Sequence, residues 1–216
     1  WNHEWIGNMI VLSGKGVKDS TATQAVKFKA SQYTAPKIVS LDAALEAAYG
    51  SPEYHLGTQF FYAAPDEVTA ATPYRYWCVL DFDDAANPAQ ALRECFEFII
   101  TEMKPLGLEA GKHYSVAVSG TKGCKVFFRH MPFPTLDAPK IWASYISSFV
   151  DRWPTIDKQV AFQSTLRGPF SRHPKDSTKW QVVIENGIGA LSTDPEWCIS
   201  HALKSERPAF DVWRKY

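Results

Sequence analysis

The sequence has no surplus of either charge: 23 lysines and arginines stand against 23 aspartates and glutamates in 216 residues. Such a balance argues against a strong non-specific nucleic-acid binder held by bulk electrostatics, though it allows a local basic groove beside an acidic site. Cysteine is scarce. Cys78, Cys95, Cys124 and Cys198 are widely spaced and form no Cys-x-x-Cys pair, which argues against a disulfide framework and a structural zinc site. Cys198-x-x-His201 supplies two of the roughly four ligands that zinc needs, so no zinc is expected. No apolar run approaches the length of a membrane span, and the first residues lack a signal-peptide pattern. The expectation is a cytoplasmic, intracellular protein with reduced thiols and no membrane partner. Internal repeats and low-complexity stretches are also missing. The chain starts at Trp1 rather than Met and is expected to be a piece of a longer protein.

Apolar residues make up 45% and aromatic residues 14% of the chain, enough for the core of one compact domain or two small lobes. Met9–Leu12 reads as a strand, Leu41–Ala48 as a helix, and residues 55–63 and 76–83 as strands. Asn87-Pro88 is a helix start, a capping side chain followed by proline at the first helical position. Behind it Leu92, Cys95, Phe96, Ile99, Ile100 and Met103 predict one apolar face, and Pro105-Leu106-Gly107 ends the helix. Tyr114–Ser119 and Val126–His130 read as a hairpin. Asp137 is expected to cap a second helix that buries Trp142, Tyr145, Ile146 and Phe149, and Trp180–Ile184 is a last strand. The order strand–helix–strand–strand–helix–strand predicts an α+β fold, a sheet with helices on one face and an open face for function.

Three segments carry chemistry. In Val79-Leu80-Asp81-Phe82-Asp83-Asp84, strand alternation puts Asp81 and Asp83 on one face and Phe82 in the core. Two neighbouring carboxylates repel unless neutralised, and a divalent ion such as Mg²⁺ or Mn²⁺ favours oxygen ligands. Asp84 is read as a turn residue. The hairpin holds Ser119-Gly120-Thr121-Lys122-Gly123-Cys124-Lys125, whose glycines and backbone N–H groups suit an anion; the spacing is not that of a P-loop. The third segment runs from Ile156-Asp157 to a long polar loop with Arg167, Ser171, Arg172, His173 and Lys175, a donor set suited to a triphosphate or nucleic-acid backbone.

In this order the segments resemble the archaeo-eukaryotic primase superfamily, and within it the primase-polymerases of phages, plasmids and other mobile elements. The hydrophobic-Asp-hydrophobic-Asp strand matches Asp81 and Asp83. The Ser-Gly-x-x-Gly-x-His motif matches Ser119, Gly120 and Gly123, with Lys125 standing where His is usual. The third acid matches Asp157, and the downstream Arg-x-Pro-x-Ser-x-His-x-Lys pattern matches Arg167, Pro169, Ser171, His173 and Lys175.

The resemblance implies an RRM-like antiparallel or mixed sheet as catalytic core over residues 51–190, a small α/β lobe over 1–50 and a helical or extended tail over 191–216. It implies a DNA primase-polymerase with Asp81, Asp83 and Asp157 as catalytic metal ligands for two Mg²⁺ or Mn²⁺ ions. Nucleotide binding would fall to Ser119, Gly120, Lys122, Gly123, Lys125, Arg167, Ser171, His173 and Lys175. The partners would be a single-stranded DNA template, NTP or dNTP, and a helicase domain or subunit, in the host cell of a mobile element. Two other classes stay open on the residues alone: a metal-dependent nuclease, which also clusters acids, and a non-catalytic single-strand binder.

Overall fold

The computed structural model describes residues 9–14, 34–40, 54–61, 67–69, 71–110, 113–119, 121–128, 135–162, 165–167, 171–173 and 176–184. The expected helix at Leu41–Ala48, the tail over 191–216, Cys198, His201, Gly120 and Lys175 lie outside them.

Hydrogen bonding divides the strands among three sheets. The strands β1 (Met9–Gly14), β2 (Thr34–Ser40), β3 (Tyr54–Phe61) and β4 (Arg75–Tyr76) lie in the order β2-β1-β3-β4. β5 (Val79–Asp83), β6 (Tyr114–Val118), β7 (Gly123–Phe128), β8 (Thr165–Leu166), β9 (Arg172–His173), β10 (Asp176–Trp180) and β11 (Val182–Ile184) complete the set. β8 joins β3 in the first sheet, β9 and β10 form a ribbon, and a second sheet has the order β11-β6-β7-β5.

Two helices fill the connections of the second sheet, α1 (Pro88–Phe98) and α2 (Ala138–Ser147). All its neighbours are antiparallel, so β5 and β6 run parallel with β7 between them, and β7 and β11 run parallel with β6 between them. These are two interlocked split βαβ units, the product of the predicted element order. Phe82 meets Phe98 of α1, and Phe128 meets Trp142 of α2. The register places Phe82 opposite Cys124, four residues before Phe128, so both helices cover one face. Phe98 also packs edge-on against Phe149 and Trp153, which closes the core around α1.

Several expectations are corrected by this packing. Residues 76–83 do not form one strand: β4 belongs to the first sheet and β5 to the second. Trp77 and Cys78 cross between them, Trp77 N–H donating to Thr58 O at 2.7 Å and Cys78 O accepting from Phe128 N–H at 2.9 Å. The last strand likewise breaks at Gln181, between β10 and β11. Ile100 is exposed rather than buried, because a π-turn over Ile99–Met103 rotates the apolar face and Phe98 takes the core position. Tyr145 is exposed beside the buried Trp142 and Ile146. Asp137 sits at the start of α2, but its side chain pairs with Lys140 at 3.0 Å instead of capping. The start of α1 is as expected, Asn87 Oδ1 accepting from Gln90 N–H at 3.2 Å; the α-helix itself stops at Phe98, and the π-turn and 3₁₀ turn that prolong it close at Gly107, whose φ is a left-handed 73°.

Cys78, Cys95 and Cys124 are free, buried thiols, and burial pushes the Cys78 thiol up to about 12. With the thiolate as the reactive form, a native-state titration with a disulfide reagent should find at most one fast thiol of the four in the chain. Denaturant should release the others.

Candidate active site

The site is built by strand register. β5 pairs with β7 so that Asp81 lies opposite Lys125 and Asp83 opposite Gly123. On its other edge β5 receives the segment 155–157. Phe82 bridges Ile156, Asp83 N–H donates to Thr155 O, and Asp157 N–H donates to Asp81 O, both at 2.8 Å. Residues directly opposite across antiparallel strands face the same way, with Cβ atoms about 4.5–5.5 Å apart. Asp157, Asp81 and Lys125 therefore form one row across the sheet face opposite the helices, and Asp83 stands in the next row. Phe82, between the two acids, is fully buried on the helical side.

The carboxylates are held by cations of the chain itself. Lys125 Nζ is in direct contact with Asp81 Oδ2, and both side chains are only 12% exposed. Lys122 Nζ reaches Asp83 Oδ2 at 2.7 Å in a wetter setting, 51% and 26% exposed. Burial foremost, and then the Arg167 guanidinium, pull the Lys125 ammonium below the usual lysine range, with the Asp157 carboxylate acting against them. Burial also lowers Arg167 to about 10, and Asp83 opposes that fall.

Arg167 follows β8 on the first sheet and crosses to the second, where its Nη2 donates to Ser119 O at 2.8 Å. Gln181 Nε2 donates to Arg167 O at 2.9 Å, and Gln181 N–H donates to Ser171 O at 2.9 Å. Ser119, Arg167, Gln181 and the fully buried Ser171 thus form one connected group. Arg167 Nη1 is buried without a hydrogen-bond partner among the described residues. A guanidinium N–H left this way in the interior fits an anion that completes it. His173 lies on the β9–β10 ribbon in register with Asp176.

Two residues, Ser119 and Gly123, have more local work than the sequence indicates, and a third, Asp84, has the work expected of it. Ser119 Oγ accepts from the N–H groups of Thr121, Lys122 and Gly123 at 3.2–3.3 Å, so the hydroxyl organises the hairpin turn and engages the amides that were expected to meet an anion. Gly123 is required by close packing: a Cβ there would strike the Phe82 carbonyl and stand 3.0 Å from the Ala91 Cβ. Asp84 is the expected turn residue, its Oδ1 accepting from Ala86 and Asn87 N–H at 2.9 and 3.0 Å.

The donor chemistry suits a hard divalent cation, since all three acids offer carboxylate oxygens from adjacent backbone positions. In this conformation they are turned to other partners. Asp81 and Asp83 face lysines, Asp157 Oδ1 accepts from Gln159 N–H at 2.8 Å, and no three acidic, cysteine or histidine side chains among the described residues converge on one point. Among the described residues no helix is long and apolar enough to cross a membrane. No protein-family model, curated protein or solved structure matches the chain.

The sequence alone missed Glu94 and Gln181. Gln181 lies inside an apolar run and carries no signal. Glu94 had one: it falls on the helical stripe of Ala91 and Phe98, where a charge facing the core calls for partners.

Proposed function

We propose that this chain is the catalytic domain of a DNA primase-polymerase of the archaeo-eukaryotic primase type, joining nucleotides on a single-stranded DNA template. The observation that supports this most is the row Asp157–Asp81–Lys125, with Asp83 beside it and Lys122 paired to Asp83. It sets acids and cations together on one sheet face, as transfer from a triphosphate needs. A 3′-hydroxyl would attack the α-phosphorus of the incoming NTP or dNTP; the new P–O bond forms as the bond from the α-phosphorus to the bridging oxygen breaks, pyrophosphate leaves, and the hydroxyl proton passes to solvent.

Asp81, Asp83 and Asp157 would hold two Mg²⁺ or Mn²⁺ ions, which when bound supply charge neutralisation on the phosphates and lower the pKa of the attacking hydroxyl. Lys122, the more exposed lysine, would leave Asp83 for the triphosphate, since a surface ion pair holds it by at most about 1 kcal/mol. The buried Arg167 Nη1 would complete its hydrogen bonding on a phosphate oxygen. Lys125 would balance charge at the end of the acid row, next to Asp81, from the position where the family carries His. Gly120, Ser171, His173 and Lys175 belong to the proposed nucleotide-binding set through the family resemblance. A helicase domain or subunit as companion and a cytoplasmic location complete the proposal.

A second reading is favoured by one observation. Both strand acids are already neutralised by lysines, which also suits a single-strand binder whose acids have no catalytic use. Incubation with unprimed and primed single-stranded DNA, Mg²⁺ or Mn²⁺ and labelled NTPs or dNTPs separates the two. Product on the unprimed template is expected; binding without product on either template would leave the binder.

A further inference from the structure

We propose that Glu94 is a positioning residue that holds the third acid, Asp157, beside Asp81, an inference that rests on the proposed nucleotidyl-transfer site. Glu94 lies on α1, away from the acid row, and is 6% exposed. One carboxylate oxygen, Oε2, accepts from both the N–H of Thr155 at 3.0 Å and its hydroxyl at 2.8 Å. The other, Oε1, accepts from Gln90 Nε2 at 3.1 Å, one helical turn earlier.

Burying a carboxylate costs several kcal/mol unless its lone pairs are met. Here three donors meet them, two of which belong to a single residue of the segment 155–157. That segment reaches β5 through few bonds: Asp83 N–H to Thr155 O, Asp157 N–H to Asp81 O, and the Phe82–Ile156 bridge. It has no strand partner of its own on its far side among the described residues. Glu94 grips it from the helix at Thr155, opposite Asp83, and so fixes the register that sets Asp157 against Asp81. A one-residue slip would turn Asp157 to the other face. Removing an outer partner of this kind characteristically lowers metal affinity or activity by about 10–100-fold.

The test compares the whole protein with Glu94→Ala, Glu94→Gln and Thr155→Val, reading amide exchange, Mn²⁺ affinity by electron paramagnetic resonance, and nucleotide incorporation. Glu94→Ala should speed exchange at Thr155, Asp157 and Asp83 by about tenfold or more while β6 and β7 keep their protection, and should weaken Mn²⁺ binding by about tenfold or more. Glu94→Gln, which keeps an oxygen for Thr155, should restore both to within about threefold of the parent protein. Thr155→Val loses only the hydroxyl bond and should lie between them, which keeps the proposal testable if Glu94→Ala fails to fold. Unchanged exchange at 155–157 in Glu94→Ala, or a loss of protection spread evenly over the sheet, would overturn the assignment. Failure of the parent protein to incorporate nucleotide would count against the proposed function alone, because exchange reports on Asp157 without any reaction.

Discussion

Replacing Asp83 by alanine should lower nucleotide incorporation by more than about 10³-fold and leave the fold almost unchanged, whereas replacing Asp81 should cost both activity and stability. The two acids share a strand face but not a setting. Asp83 pairs with a lysine that is half exposed, so its loss returns Lys122 to water and costs at most about 1 kcal/mol. Asp81 neutralises Lys125 in a pocket where both side chains are 12% exposed. Taking away one partner of a buried pair strands the other charge, at a cost of about 3 kcal/mol or more. For a chain of this length that is a fall in Tm of roughly 6–12 °C. Exchanging Lys125 for methionine in the Asp81→Ala background should recover much of that loss and none of the activity. Thermal unfolding beside an incorporation assay checks all three variants.

The second large effect is structural. Gly123→Ala should destabilise the protein by about 3 kcal/mol, because the new methyl meets backbone on one side and helix on the other. The Phe82 carbonyl cannot swing away like a flexible side chain, and Ala91 is fully buried on α1. Relief requires β5, β7 or α1 to move, and β5 and β7 carry Asp81, Asp83 and Lys125. The variant should therefore lose incorporation as well as Tm, in contrast to Asp83→Ala, which loses incorporation alone. Urea unfolding of the two variants side by side distinguishes these outcomes.

The local signals of the sequence were readable where one segment determined its own structure. Asn87-Pro88 starts α1, Gly107 closes the 3₁₀ turn that follows it, the 114–128 region folds as a hairpin, and Phe82 alternates inward between Asp81 and Asp83. What escaped depended on distant partners. Tyr76, Trp77, Cys78, Val79 and Leu80 are all buried, so the pattern is the same for one long strand as for a chain passing between two sheets. Only the bonds to Thr58 and Phe128 reveal the crossing. The exposure of Ile100 depends on a π-turn that helical spacing does not announce. The acid segments were visible by composition, but the pairing of Asp81 with Lys125 and Asp157 follows from strand register, which needs the assembled sheet. Ser119 and Gly123 looked like ligand-facing residues, since a turn that holds itself and a turn that holds an anion call for the same small, polar side chains.

Nucleotidyl transfer is proposed for the acid row, and not for acidity at the end of β5 in general. It is tested most directly by measuring Mn²⁺-dependent nucleotide incorporation on unprimed single-stranded DNA for the parent protein, Asp83→Asn and Asp84→Asn. The substitutions are adjacent and remove the same charge, but Asp84 spends its carboxylate on the turn amides of Ala86 and Asn87. Product is expected from the parent protein and from Asp84→Asn and none from Asp83→Asn. Equal incorporation by the two variants would contradict that proposal.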